Sequence, residues 1–392
     1  MIANLLVILL LERGQSASLL EQGLVALQRG QLTIARQDLE QASQTDPQNP
    51  YIWTSLAEVY LRLQLPKQAS NAAESAEKTG AKNPLVWHAL AMFYSKSGRP
   101  RPAAEWEQRF AESAKADRNA LGRAASLYLD AGEPQRAVTL AQQAIAVSSS
   151  AENEDLLGRA LIAVGQAPEG EKHLASAWGQ SKTDPQIDFD FAQALLRHED
   201  FARAAEVIDS GLAAHPQDPQ LMLALGVARY GQRRFDEALT AFLKVIRVDP
   251  AIEQPYTFIG RMLEQAGPHL TEIAKAYEGW AAREPENAKA QLLLAKVLLV
   301  QDHHSERAEP LLRHSIALDK NDWEAHYELG VLLEERRNYP GALAELVRSI
   351  ELNPKSPMPH YHAARIYDRV GQPERAKTER ELHQRLTAPS TP

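Results

Sequence analysis

Residues 219–250 read PQLMLALGVARYGQRRFDEALTAFLKVIRVDP, and the spacing of their side chains decides the fold. A first run, Met222, Leu225, Gly226 and Arg229, is spaced at steps of 3, 1 and 3. A second run, Ala238, Leu239, Phe242, Val245 and Ile246, keeps to steps of three and four apart from neighbouring pairs. That is the period of an amphipathic helix, twice over. Asp218-Pro219 opens the stretch and Asp249-Pro250 closes it, as suits a residue that cannot sit in a helix interior. The stretch therefore predicts a helix-turn-helix hairpin. Such a hairpin is too small to bury its own apolar faces and needs copies of itself as neighbours.

The copies are there. A small residue stands at the eighth position of each first helix: Gly23, Ala57, Ala91, Ala125, Gly158, Ala192, Gly226, Gly260, Ala295, Gly330 and Ala364. The steps between them are 33 to 35 residues. A second series of small residues, from Ala35 through Ala238 to Ala376, opens each second helix at nearly the same step. A 34-residue period with two helices per unit is the mark of a solenoid. Gly or Ala where helices cross lets backbones approach closely while larger residues fill the flanks. Six units carry glycine at position fifteen, in the turn (Gly30, Gly98, Gly132, Gly165, Gly267, Gly371), where a left-handed residue can close a helix.

These residues carry a resemblance. The order Gly226, Ala238, Phe242, Pro250, repeated by Leu329, Gly330, Ala342, Leu346 and Pro354, resembles the tetratricopeptide repeat (TPR) family. The resemblance covers about residues 16–386. It implies an all-α fold, a right-handed α-solenoid superhelix of about eleven TPR helix-turn-helix units, whose concave groove takes an extended or helical peptide. Three units depart from the pattern. The Gly267-Pro268-His269 turn lengthens the eighth, the Asp302-His303-His304 turn lengthens the ninth, and Glu154 stands at the Trp position of the fifth. Local irregularity is expected at each. The charged last helix, with Arg375, Lys377, Glu379, Arg380, Glu381 and Arg385, suits an end cap.

Composition agrees and excludes some chemistry. Of 392 residues 44 % are apolar, mainly Ala and Leu, and 6 % aromatic, a mixture that favours helices over sheets. The net charge of −8 is spread along the chain, and no basic block points to nucleic acid. With no cysteine there are no disulfides and no thiolate chemistry. The chain divides into an apolar segment, 1–17, a TPR solenoid, 18–386, and a tail, 387–392, expected to be disordered. Ile2 to Leu11 is too short for a spanning helix but suits a signal-peptide core, and Ser16-Ala17-Ser18 offers a cleavage site. No Lys or Arg precedes the run, which speaks the other way. A periplasmic or secreted location is slightly favoured over a cytoplasmic one.

Catalytic signatures are missing: no Gly-rich phosphate loop, no His-Glu-x-x-His, no Gly-x-Ser-x-Gly. His303 and His304 read as a solvated turn and Ser148-Ser149-Ser150 as a loop. His326 and His360, 34 residues apart at the Trp position, read as packing residues. Asp188 and Asp190, two apart on a helix, diverge and make a poor acid–base pair. No catalytic residue, metal ligand or cofactor is expected. What remains is the face of each first helix turned away from its partner, at positions 2, 5, 9, 12 and 13. There, Phe189, Tyr230, Arg261, Lys296, Tyr327, Tyr361 and Arg365 combine rings and cations. That mixture suits an acidic or carboxylate-bearing segment of a partner. The Lys and Asn pattern with which some TPR proteins hold chaperone carboxyl termini is absent from the first three units. The expectation is a non-enzymatic protein–protein interaction scaffold that binds a peptide or protein in its groove. The alternatives are an extracytoplasmic envelope or secretion assembly factor, or an accessory substrate-recognition subunit of an enzyme such as a glycosyltransferase.

Overall fold

The computed structural model describes residues 15–113 and 116–388. The apolar run Ile2–Leu11, and the export reading that rests on it, lies outside them, as do the last four residues of the tail. Among the described residues there are 22 α-helices, two short 3₁₀ turns and no strand. They follow one another as helical hairpins, and the chain is an α-solenoid. It forms two compact units, one through His198 and one from Glu199. The first unit holds five hairpins and the helix Pro185–Arg197; the second holds the helix Phe201–Ala214 and the hairpins after it. Helix Gln15–Gln28 starts inside the segment set apart as 1–17, and helix Pro373–Thr387 takes in Thr387.

The junction prolines play both expected parts. Asn83, Asp184 and Asp218 cap helices that begin at the next residue, a proline, each side chain accepting the N–H two residues on. Asp46, Asp249 and Asn353 instead lie at the C-terminal end of a helix, and the following proline lies outside it.

Turn geometry repeats more strictly than turn sequence. Gly30, Gly98, Gly132, Gly165 and Gly371 have φ between +71° and +87°, and Gly267 has +35°. The same turn position holds Gln64, Glu199, Arg233 and Arg337 elsewhere, with φ of 57° to 60°. The backbone there is left-handed whether or not glycine supplies it. Only Asp302, in the lengthened turn of the ninth unit, escapes, at φ −148°.

Packing at the helix crossing is a matter of paired volumes. A Cβ added to Gly23, Gly158, Gly226 or Gly330 would come within 2.4–2.7 Å of Leu39, Leu174, Phe242 or Leu346, each sixteen residues on. Where position eight is alanine, the facing residue can be small, as in Ala57 with Ala73 and Ala125 with Ala141. Each crossing reaches close packing by its own division of volume.

A second device ties six of the units to the loop before them. Trp53 Nε1 donates to Pro47 O at 2.8 Å, Trp87 to Ala81 O at 3.3 Å, Tyr256 Oη to Pro250 O at 3.1 Å and Gln291 Nε2 to Pro285 O at 3.1 Å. His326 Nε2 lies 3.3 Å from Lys320 O and His360 Nε2 3.4 Å from Pro354 O. In all six the side chain at position four reaches the carbonyl six residues back. The two histidines are packing residues of this kind.

Of the three expected irregularities, two are present. The first helix of the eighth unit is cut to Gln254–Gly260 and followed by 3₁₀ turns at Leu263–Gln265 and Gly267–His269. The second helix of the ninth begins late, at Ala308. The fifth is regular, with helices Ala151–Ala163 and Ala167–Gln180. Its Glu154 finds His173, nineteen residues on, at 2.7 Å. The same spacing joins His326 to Glu345 and His360 to Glu379, both at 2.6 Å, with the two residue types exchanged. An acid at the Trp position is accommodated because the opposing position holds its partner.

Candidate functional site

Four of the residues singled out above come together in the C-terminal unit. Lys296 on helix Ala288–Gln301, Tyr327 on Trp323–Glu335, and Tyr361 and Arg365 on Pro357–Arg369 lie on one connected surface. Spacing explains part of this, since three and four residues along a helix return to the same face. Apart from Glu334, the links between helices come from residues that periodicity did not flag. Lys296 Nζ contacts Glu324 and lies 3.5 Å from Glu328. Tyr327 packs edge-on to His362 at 5.8 Å between ring centres, and His362 meets Tyr361 at 5.3 Å. His362 Nδ1 lies 2.6 Å from Glu334 Oε2, and Arg365 Nε 3.5 Å from Glu334 Oε1. The Arg365 guanidinium sits over the Tyr361 ring at 5.5 Å, and His383 of the last helix touches the same ring at 5.5 Å.

Burial divides this surface in two. The Lys296 side chain is only 18 % exposed. Burial works against its ammonium, but Glu328 and Glu324 outweigh it and hold the group in its charged form. Glu328 is pushed up mainly by burial, and so is the Tyr327 hydroxyl, with the charge of Glu328 adding to the effect. Glu334 is held low: burial opposes this, but the hydrogen bond from His362 and the charge of Arg365 prevail. Lys296, Tyr327 and Glu334 thus belong to a polar seam between helices, in which Glu334 Oε1 has the charge of Arg365 beside it but no hydrogen bond among the described residues. Tyr361, at 40 % exposure, and Arg365 stand open to solvent beside it.

The remaining residues lie apart from this surface. Tyr230 is half-buried, edge-on to Phe235 and Phe258 at 5.8 Å, and Arg261 lies over the Phe258 ring at 5.7 Å. Phe189 is half-buried on helix Pro185–Arg197 of the N-terminal unit. Sequence reading placed Glu334 on the groove-facing side, at position twelve, but missed Glu324, Glu328 and His362. The signal was present as spacing: Lys296 to Glu324 and Glu334 to His362 are both 28 residues, one period less six.

The comparisons settle the family. Tetratricopeptide repeat models match residues 26–105 and, with a second model, residues 189–252 and 298–357, together just over half of the chain. The chain belongs to the tetratricopeptide repeat family. This TPR protein is 25 % identical over 159 residues to the probable UDP-N-acetylglucosamine–peptide N-acetylglucosaminyltransferase SPINDLY of Hordeum vulgare. That match takes in 39 % of this chain and spans only 17 % of the barley protein's length. A solved TPR protein from Parabacteroides merdae is similar in fold, with a TM-score of 0.50 and 19 % identity, over 62 % of this chain and 96 % of that one. The solved APC/C Cut9–Hcn1 hetero-tetramer aligns over 97 % of this chain and 95 % of its own, at 12 % identity and a TM-score of 0.44. As a TPR chain the molecule is a protein-interaction scaffold. Among the described residues no helix is long and apolar enough to cross a membrane.

Proposed function

We propose that this scaffold takes an extended or helical segment of a partner protein on the first-helix face of its C-terminal unit, and that it performs no catalysis itself. The observation that carries the reading is the exposed pair Tyr361 and Arg365. An aromatic ring and a guanidinium, stacked and open to solvent, adjoin a polar seam whose own charges are paired. Rings and arginines anchor interfaces because they bury large area with few rotatable bonds and several donors. Arg365 suits a carboxylate on the incoming segment, and the Tyr361 ring suits an apolar side chain beside it.

The test is site-specific photo-crosslinking in the native host. A photoreactive phenylalanine analogue at position 361 should trap a discrete partner band, and Arg365→Ala should abolish that band while circular dichroism stays unchanged. Equal crosslinking from an outward-facing position such as Glu272 would sink the proposal. The barley relative gives specific ground to a second reading, an accessory subunit that selects substrates for a glycosyltransferase. Co-purification with an activity that transfers N-acetylglucosamine to peptides would favour it.

A further inference from the structure

Successive hairpins meet through a recurring set of contacts, with positions counted through the whole unit. A donor at position eleven of the first helix reaches back to position 25 or 28 on the preceding second helix. Tyr60 donates to Glu40 at 2.8 Å, Tyr94 to Glu77 at 2.5 Å, Tyr128 to Gln108 at 2.6 Å and Arg229 to Asp209 at 2.9 Å. An acid at position six meets a cation at position nine of the preceding first helix: Asp190 meets Arg159 and Glu328 meets Lys296, both at 3.5 Å. Between these flanks the second unit turns Ile52, Leu56 and Val59, at positions three, seven and ten, fully inward. At 100° per residue, three, seven and ten share one face of a helix, and six and eleven lie on either side of it.

The last hairpin, Pro357–Arg369 with Pro373–Thr387, presents the receiving half of this interface open to solvent. Tyr361 holds position five, where Leu292 is buried and Tyr327 is half-buried under His362 of the following unit. Met358, one turn before Tyr361, is exposed as well. Arg365 holds position nine with its side chain 42 % exposed, against 18 % for Lys296. Glu334 lies 3.5 Å from it but makes no hydrogen bond to it. Glu381 and Gln384 hold positions 25 and 28, both exposed, and neither side chain accepts a hydrogen bond among the described residues. Asp368 and Arg380 close on each other. The face thus has no marked excess of either charge. It offers a cation, a ring and two acceptors at the places where inner units engage a neighbour.

We infer that this face receives an amphipathic α-helix of a partner protein, stacked on the last hairpin in the manner of a further first helix. The inference rests on the reading of Tyr361 and Arg365 as a partner-binding pair and narrows the segment they take to a helix. Complementarity fixes its pattern: apolar residues at positions three, seven and ten, an acid at six for Arg365, and tyrosine or arginine at eleven for Glu381 and Gln384. Acid and donor then flank the apolar stripe on opposite sides, as Arg365 on the first helix and Glu381 on the second require. The incoming helix sits over the cleft between the two helices of the hairpin. A segment running along the first helices alone would not reach Glu381.

The probe is a fluorescein-labelled peptide of residues 323–335, lactam-stapled on its outward face and carrying Leu333→Tyr. It has Ala325, Leu329 and Leu332 at positions three, seven and ten, Glu328 at six and the new tyrosine at eleven. Titrated with the full chain, its anisotropy should show saturable binding. Arg365→Glu in the chain should weaken that binding by about tenfold or more, the scale of a lost charge-assisted contact turned to repulsion. A peptide that also carries Glu328→Lys should restore it, which a merely structural effect of the substitution would not do. Glu381→Ala, at an exposed residue, should weaken binding of the tyrosine peptide and leave the thermal midpoint of the chain unchanged. No saturable binding, no rescue by the exchanged charges, or indifference to Glu381→Ala would refute the stacked helix. If photo-crosslinking at position 361 still traps an Arg365-dependent band in that case, the pair remains a binding site and only the helix falls. Dimerisation of the chain in sedimentation velocity, lost in Arg365→Glu, would overturn the partner assignment in favour of a second copy.

Discussion

Arg233 occupies a backbone conformation that costs a residue with a Cβ about 1–2 kcal/mol, and Gln64, Glu199 and Arg337 do the same. All four side chains are exposed, so nothing is lost by removing them. Arg233→Gly should raise stability by roughly 0.5–1 kcal/mol, the left-handed relief less the flexibility that glycine adds to the unfolded chain. Denaturant midpoints for the four single variants would check this. Six such turns were visible in the sequence as glycines, but these four were not. The backbone requirement is constant; only its cheapest solution is spelled in one letter. Asp155 is a second case. It is 4 % exposed, and burial pushes its carboxyl up to about 7, opposed by Arg159 and reinforced by Asp190. Below the ordinary carboxylate value of 3.8 the group is protonated in both folded and unfolded chains. As the pH rises the unfolded chain gives up its proton first, so stability falls until the folded value is passed. Asp155→Asn should flatten the decline of the thermal midpoint between about pH 4 and about pH 7. An unchanged slope would show that the decline arises elsewhere.

At the level of helices, the crossing of Pro219–Gly231 with Phe235–Val248 shows how narrowly volume is shared. Gly226→Ala would bring a methyl to 2.4 Å from the Phe242 ring. Overpacking of this sort costs roughly 1–3 kcal/mol. Phe242→Leu in the same chain should recover part of the loss, since Leu39, Leu174 and Leu346 face the corresponding position in other units. A double-mutant cycle on urea midpoints reads the coupling, and strictly additive losses would contradict it. These elements were largely legible, because a 34-residue period with fixed small residues leaves little freedom in where helices start and cross. The regularity of the fifth unit was not. Glu154 breaks the pattern when read alone and fits once His173 is placed opposite it, nineteen residues along.

Across the molecule, the candidate site was legible in its rings and cations and hidden in its acids. Position counting collects like with like, whereas the seam joins unlike positions of successive units: Lys296 with Glu324 and Glu328, and Glu334 with His362 and Arg365. That changes which substitution is informative. Lys296→Ala leaves two half-buried carboxylates facing each other, and removing one partner of a buried pair costs on the order of 3–5 kcal/mol at full burial and less here. Its first effect should be a lowered melting temperature of the whole protein, with any loss of binding following from that. Arg365→Ala should lose binding with the melting temperature kept. A melting temperature unmoved by Lys296→Ala would show that the seam contributes little to the fold. Solenoid stability is close to a sum of unit and neighbour terms, so damage in one seam stays local and its size can be measured.

The bond from position four to the carbonyl six residues back has a mechanical meaning. It is a clasp, and it needs a donor of sufficient reach, which tryptophan, tyrosine, glutamine and histidine all provide. Leu121, Glu154, Asp188 and Met222 hold the same position in four successive units, and none of these is a tryptophan, tyrosine, glutamine or histidine. Leu19 of the first unit has no donor either, so among the described residues the clasps stand at Trp53 and Trp87 and again from Tyr256 onward, on either side of an unclasped stretch over residues 118–252. Pulled from its termini in an optical trap, it should yield first in that middle stretch. Met222→Trp, which installs a clasp, should raise the force at which those units give way.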